Sequence, residues 1–388
     1  GIMAIAYNRL KRHLGITSGD IYVYDFVQQL AIVEPEVLDR FGVDTIELGR
    51  GFALSPSDWR DWELPDGTSC KIPAFIYPVK VGGDWRVYHE DGTLIAIQKA
   101  GCLYFEQTCF PLAGAGADAL DNLTQPMEKI MWASLGSPPA PIGYDEEGLR
   151  ALCLGAKVLR ESTSRAVIGL FGGNLLEFGQ FFFGMANFLE LLAADHARVH
   201  RFLDRMVEIH LENLKKFLSA VGPYIDIVLF GDDLGMQTGP QISPRMFREF
   251  MLKPYQRLTG LLRDHGVDVI YVDTDGDCWK LLDLFIEGGV TAMYPFEVQS
   301  NMDVREVRRK YPHLVLQGGI DKKVLAKGKE AIDRELEAKV PVAAGGGYIP
   351  HIDHATPPDV PFEAFAYYRR KLDAMLDEID AARMRGAR

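Results

Sequence analysis

The chain has 388 residues, of which 47% are hydrophobic and 25% charged, and a formal net charge of -12. That balance describes a globular protein with a large core, and the length suits one α/β barrel carrying insertions. It argues against a nucleic-acid binder, and no apolar run reaches the ~18 residues of a transmembrane helix.

Five cysteines, Cys70, Cys102, Cys109, Cys153 and Cys278, form neither a CxxC pair nor a disulfide framework. With no signal-peptide pattern at the start, a reducing cytoplasm is the expected location.

Residues 1–40 read as mostly helical. Tyr7, Leu10 and Leu14 recur at near-helical spacing, and Val27, Leu30 and Ala31 repeat it. Pro35 ends that second helix or starts a third. The first strand is expected at 43–48, ending on Gly49-Arg50-Gly51. Residues 59–107 differ in character. Trp85, Val87 and His89, then Thr93, Ile95 and Ile97, alternate about Glu90-Asp91-Gly92, which predicts a β-hairpin insertion or flap in the N-terminal half. Beyond it, strand and helix repeat. Apolar strands are expected at 166–171, 225–230, 267–272, 290–294, 314–317 and 340–344, with helices at 184–221, 243–265, 279–287 and 362–384. Such strands imply a parallel sheet covered on both faces. Seven are visible, and a closed (βα)8 TIM-type barrel needs one more. Residues 1–388 read as one domain.

In a barrel of this kind the site lies at the C-terminal ends of the strands. The loops there supply Arg50, Glu177, Asp232, Asp233, Asp273, Asp275, Glu297, Asp321, Lys322, His351, Asp353 and His354. An N-cap explains a lone acid such as Asp277 or Asp321. Asp232-Asp233 and Asp273-x-Asp275 are different, because paired carboxylates repel unless a cation, a shared proton or a basic substrate offsets them. Two acids and a histidine also suit a divalent metal, although no HExxH or cysteine signature is present. Glu177, within Asn174-Leu175-Leu176-Glu177-Phe178, is either an exposed helix position or a buried group facing the pocket. Cys278 reads as a small buried hydrophobe. His196, His200 and His210 fall in a charged helical stretch and read as solvated.

Several motifs resemble the uroporphyrinogen decarboxylase superfamily. They are Phe230-Gly231-Asp232-Asp233-Leu234-Gly235, Ser243-Pro244-Arg245-Met246-Phe247, Lys253-Pro254-Tyr255, Leu316-Gln317-Gly318-Gly319-Ile320-Asp321, and the closing stretch from Gly347-Tyr348-Ile349 through His354 to Pro358-Asp359-Val360-Pro361. The resemblance covers residues 230–370 well and the earlier half more loosely. It implies a (βα)8 barrel, in a family that includes the decarboxylase of haem synthesis and methyltransferases serving corrinoid proteins. The residue that aligns with His354 in the decarboxylases contacts substrate. Their arginine-rich N-terminal loop and early Asp have no counterpart here, and Asp232 stands where they have Ser. The methyltransferases hold zinc through a His-x-Cys pair and a closing Cys, places taken here by Asp273-x-Asp275 and His354.

The resemblance thus implies zinc or another divalent metal on Asp273, Asp275 and His354. Glu177, Asp232 and His354 are the expected catalytic residues, and Arg50, Asp233, Gln237, Tyr348 and His351 the expected substrate contacts. The implied enzyme is a methyltransferase that moves a methyl group from a small O-methyl donor to a corrinoid on a partner protein. A decarboxylase of a poly-acid and a non-catalytic binding protein are the alternatives, and a homodimer is the expected assembly.

Overall fold

Short apolar runs that alternate inward and outward set the architecture. The computed structural model describes residues 1–51, 55–135 and 144–386. Seven strands make one sheet: β1 (Thr45–Glu47), β2 (Ala166–Gly172), β3 (Ile227–Gly231), β4 (Ile270–Asp273), β5 (Ala292–Tyr294), β6 (Val315–Ile320) and β7 (Tyr348–Ile352). They lie in the order β7-β6-β5-β4-β3-β2-β1, and every neighbouring pair is parallel. Among the described residues no eighth strand joins β7 to β1. The sheet is therefore a curled half-barrel, consistent with a TIM-type fold, and the eightfold closure is not seen.

Parity decides which side chains enter the barrel. On β2, Val167 and Phe171 pack outward into the main core, while Ile168 and Leu170 line the interior cavity. Register then lines up the strand ends. Gly231 of β3 lies beside Asp273 of β4, and Asp273 lies beside Tyr294 of β5. The outer face is covered by helices such as His196–Val221, whose apolar stripe of Val199, Leu203, Met206, Val207, Leu214 and Phe217 is buried. A second apolar core, including Tyr7, Phe26, Trp62 and Phe105, joins the N-terminal segment to residues 59–107. That stretch forms the antiparallel pair Trp59–Glu63 and Ser69–Pro73 and a four-stranded antiparallel sheet beginning at Pro78–Val81. No helix of the described residues is long and apolar enough to cross a membrane.

Three local expectations are corrected. Val340–Gly345, expected as the last strand, is a 3-10 helix, and the strand comes later at Tyr348–Ile352. Pro341 has no N–H for a sheet ladder but fits the first turn of a helix. Residues 27–31, expected to be helical, contribute instead to the antiparallel pair Val23–Asp25 and Leu30–Ala31. The expected helix 184–221 is two helices, Met185–Ala194 and His196–Val221, divided at Asp195, which caps the second, and a separate helix, Leu176–Phe183, precedes them across Gly184 with φ +85°.

Candidate active site

The half-barrel encloses a cavity of ≈1400 Å³ lined by Asn174, Glu177, His210, Asp232, Asp233, Asp273, Asp275, Tyr294, His351 and His354, among others. Most of these residues sit at or just past the C-terminal ends of the strands, as the barrel rule requires.

The acids of these loops fall into two groups. One group caps backbone. Asp353 accepts from the Val298 and Lys322 amides at 2.8 and 3.0 Å, Asp321 from Lys323 at 2.9 Å, and Asp277 from Trp279 at 3.0 Å. Asp232 belongs here too. It is buried, with Oδ1 accepting from the Glu177 amide at 3.0 Å and Oδ2 from the Leu176 amide at 3.3 Å and the Tyr255 hydroxyl at 3.1 Å. Burial pushes its carboxyl up to about 6, against the pull of those donors. Asp232 fixes the start of the helix Leu176–Phe183 through both oxygens while also lining the cavity.

The second group faces the cavity. Glu177 accepts from Asn174 Nδ2 at 2.6 Å. Its carboxyl is held well above the usual carboxylate range by burial, then by Asp233 and Asp232. Burial and the neighbouring Asp275 raise Asp233 to about 7. Asp273 is likewise raised well above its ordinary value by burial, Asp275 and Asp233. Several close carboxyls in a half-dry mouth cannot all ionise, so the cluster retains protons near neutrality.

Asp275 is placed by a lattice between the loops after β3 and β4. Its amide donates to Asp233 Oδ1 at 2.8 Å, and its carbonyl accepts from the Gly235 amide at 3.1 Å. The two loops cross at Gly235 and Gly276, where a Cβ on either would come within 2.4 Å of the other's backbone. The Asp275 carboxylate then meets His354, Oδ2 to Nε2, at 3.5 Å.

Asp275 and His354 are brought together as expected, but the metal triad is not. Among the described residues no three His, Cys, Asp or Glu side chains are grouped to hold a metal ion. The strand stops at Asp273, so the rule that places residues i and i+2 on one face lapses before Asp275. The donors present do not fit a structural or catalytic zinc set, which needs three or four protein ligands.

His351 lines the cavity from β7, with Nδ1 2.5 Å from the Ile352 carbonyl, and burial pushes its imidazole down to about 4. Tyr348, three residues earlier, has the opposite parity. It is buried in the main core and donates to the Gly318 carbonyl at 3.0 Å, so it is not a cavity contact. Gln237 lies exposed between the short strands Gly235–Met236 and Gly239–Pro240, off the cavity wall. The side chain of Arg50 lies outside the described residues.

His210 corrects another expectation. It is buried rather than solvated, sits edge-on to Phe171 and Phe178, and donates from Nε2 to the Asn174 carbonyl at 2.9 Å. Burial lowers it to about 4 from 6.5, so the unfolded chain binds the extra proton between those values. Its contribution to stability is whole above pH 6.5 and is lost as pH falls toward 4. The stability gap between wild type and His210→Gln is expected to narrow by ~3 kcal/mol from pH 7 to pH 4 in denaturant melts. Its place was legible in principle, since His210 continues the stripe of Leu203, Val207, Leu214 and Phe217. Tyr294 was not singled out, and Asn174 and Tyr255 stood only inside the stretches Asn174-Leu175-Leu176-Glu177-Phe178 and Lys253-Pro254-Tyr255, without a role. The signals were the Gly172-Gly173-Asn174 turn after β2 for Asn174 and the family motif for Tyr255.

The family model described as Uroporphyrinogen decarboxylase (URO-D) matches residues 144–373. A methyltransferase from Methanosarcina mazei shares the fold with a TM-score of 0.51 at 14% identity, over 97% of this chain and 99% of that one. A B12-independent methionine synthase from Shewanella sp. W3-18-1, solved with selenomethionine, aligns over 90% of this chain and 85% of its own, at 11% identity and a TM-score of 0.31. No curated protein matches the chain. With its characteristic strand ends in place and more than half its length matched, the chain belongs to the uroporphyrinogen decarboxylase family.

Proposed function

We propose that the chain is a methyltransferase that moves a methyl group from a small O-methyl donor to a corrinoid carried by a partner protein. The observation that carries this reading is the set of proton-holding carboxyls at the mouth, Glu177 above all. An ether gives up its methyl group readily only if the departing oxygen receives a proton. The acceptor supplies the nucleophile. As it takes the methyl carbon, the electrons of the broken C–O bond stay on oxygen. Glu177 passes its proton to that oxygen, an alcohol or phenol leaves, and Glu177 remains as a carboxylate to be reprotonated from solvent through Asp233. Tyr294 and His351 shape the wall beside the donor, and Asp275 with His354 closes the mouth.

A cavity of ≈1400 Å³ exceeds the roughly 300–1,000 Å³ of an ordinary small-molecule pocket, which leaves room for an acceptor group beside the donor. The wall charge favours a neutral donor over a poly-acid. Among the described residues only Arg205, Lys216 and Arg369 bring basic side chains to it, against the acids already named. Asp275 and His354 alone give a divalent ion too few protein donors, so no step is assigned to a metal.

The test is incubation of the purified protein with methoxyaryl donors and cob(I)alamin. Release of the phenol together with methylated cobalamin is the expected result. Coproporphyrinogen formed from uroporphyrinogen, without methyl transfer, would replace this reading with the decarboxylase. Inactivity in both assays would leave a binding protein.

A further inference from the structure

Glu177 is gripped from two sides. Asp232 holds the amides at the start of its helix, and Asn174 holds its carboxyl, donating from Nδ2 to Oε2 at 2.6 Å. Asn174 is itself confined. A Cβ on Gly172, at the end of β2, would lie 3.2 Å from Asn174 Oδ1, and one on Gly231, at the end of β3, would lie 3.3 Å from Nδ2. Two neighbouring strands thus end in glycine where this side chain needs the space. On its far side the Asn174 carbonyl accepts from His210 Nε2 at 2.9 Å, and His210 is wedged edge-on between Phe171 and Phe178.

A protonated carboxyl has one oxygen that carries hydrogen and one that only accepts. An amide N–H donating to Oε2 selects Oε2 as the acceptor. We propose that Asn174 is a positioning residue that assigns the Glu177 proton to Oε1, so that the acid donates from one fixed oxygen. The inference rests on Glu177 being the proton donor of the proposed reaction. The groups facing Glu177 are Asp232 and Asp233 beyond β3, whose carboxyls oppose its ionisation while the Asp233 backbone amide favours it, together with Tyr255 across Asp232 and His210 behind Asn174. Asn174 is the side chain hydrogen-bonded to the Glu177 carboxyl, and it favours the ionised form.

The test is a carbon-13 NMR titration of full-length protein labelled at the glutamate carboxyl carbon, with the Glu177 signal assigned by its loss in Glu177→Gln. In Asn174→Ala the Glu177 midpoint is expected to rise by about one to two pH units, the worth of one hydrogen bond to a charged group. The alkaline limb of the rate profile is expected to move by the same amount. Asn174→Asp keeps the volume if the alanine variant fails to fold, and it raises the midpoint further by placing an acceptor and a charge there. An unchanged Glu177 midpoint in the folded variants overturns the inference. A shifted midpoint with an unmoved rate profile also overturns the catalytic positioning. If Glu177→Gln retains full methyl transfer, the proton-donor reading fails on its own account, whatever the titration shows of Asn174.

Discussion

Glu177→Gln is expected to lower kcat/KM for methyl transfer about 10²- to 10⁴-fold, the usual worth of a positioned general acid. Glutamine matches glutamate in shape, and its carbonyl oxygen still accepts from Asn174 Nδ2, so the fold is retained. What it lacks is the transferable proton. The sign of the pH dependence follows from burial. A carboxyl raised in the folded state stabilises the protein while protonated, and that contribution is lost as pH climbs from its ordinary 4.5 through the raised folded value. The glutamine variant escapes the loss, so it is expected to match wild type at pH 4 and to be the more stable at pH 9. Wild-type activity falls on the alkaline side as Glu177 ionises. Rates and denaturant melts across that range check both statements, and an unchanged rate in Glu177→Gln removes Glu177 from the chemistry.

Asp232→Ala is expected to destabilise the fold by about 3–5 kcal/mol, since buried donors left without an acceptor cost about 1–3 kcal/mol each. The donors are the amides of Leu176 and Glu177 and the hydroxyl of Tyr255. A surface acid would cost far less, so the size of the effect separates a buried anchor from a loop residue. Tyr255→Phe removes one of those donors and leaves the other two satisfied, and its expected cost is about 1–2 kcal/mol. Urea melts near pH 7 measure both. A cost below ~1 kcal/mol for Asp232→Ala would mean that Asp232 does not hold the helix. Activity is expected to fall along with stability, because the start of that helix carries Glu177.

The sequence by itself determined that apolar strands followed by helices build a parallel sheet, and that acid-bearing loops gather at one end of it. Both conclusions rest on local rules, namely alternation along a strand and the position of a residue relative to its strand end. The family was legible for the same reason, in the strand ends around Asp232-Asp233, Asp321 and His354. Tertiary structure decided what each acid does. Nothing near Asp232 in sequence announces that it will cap a helix 55 residues earlier, at the amide of Glu177. The last strand was displaced because apolar character at 340–344 does not separate a strand from a short buried helix turn, whereas β7 finds its register against β6, five residues deep. That displacement put His351 on the inner face, Tyr348 on the outer one, and His354 beside Asp275. Which carboxyls meet, which keep their protons and which merely hold backbone are pairwise facts across distant loops, and a linear pattern does not encode distances between them.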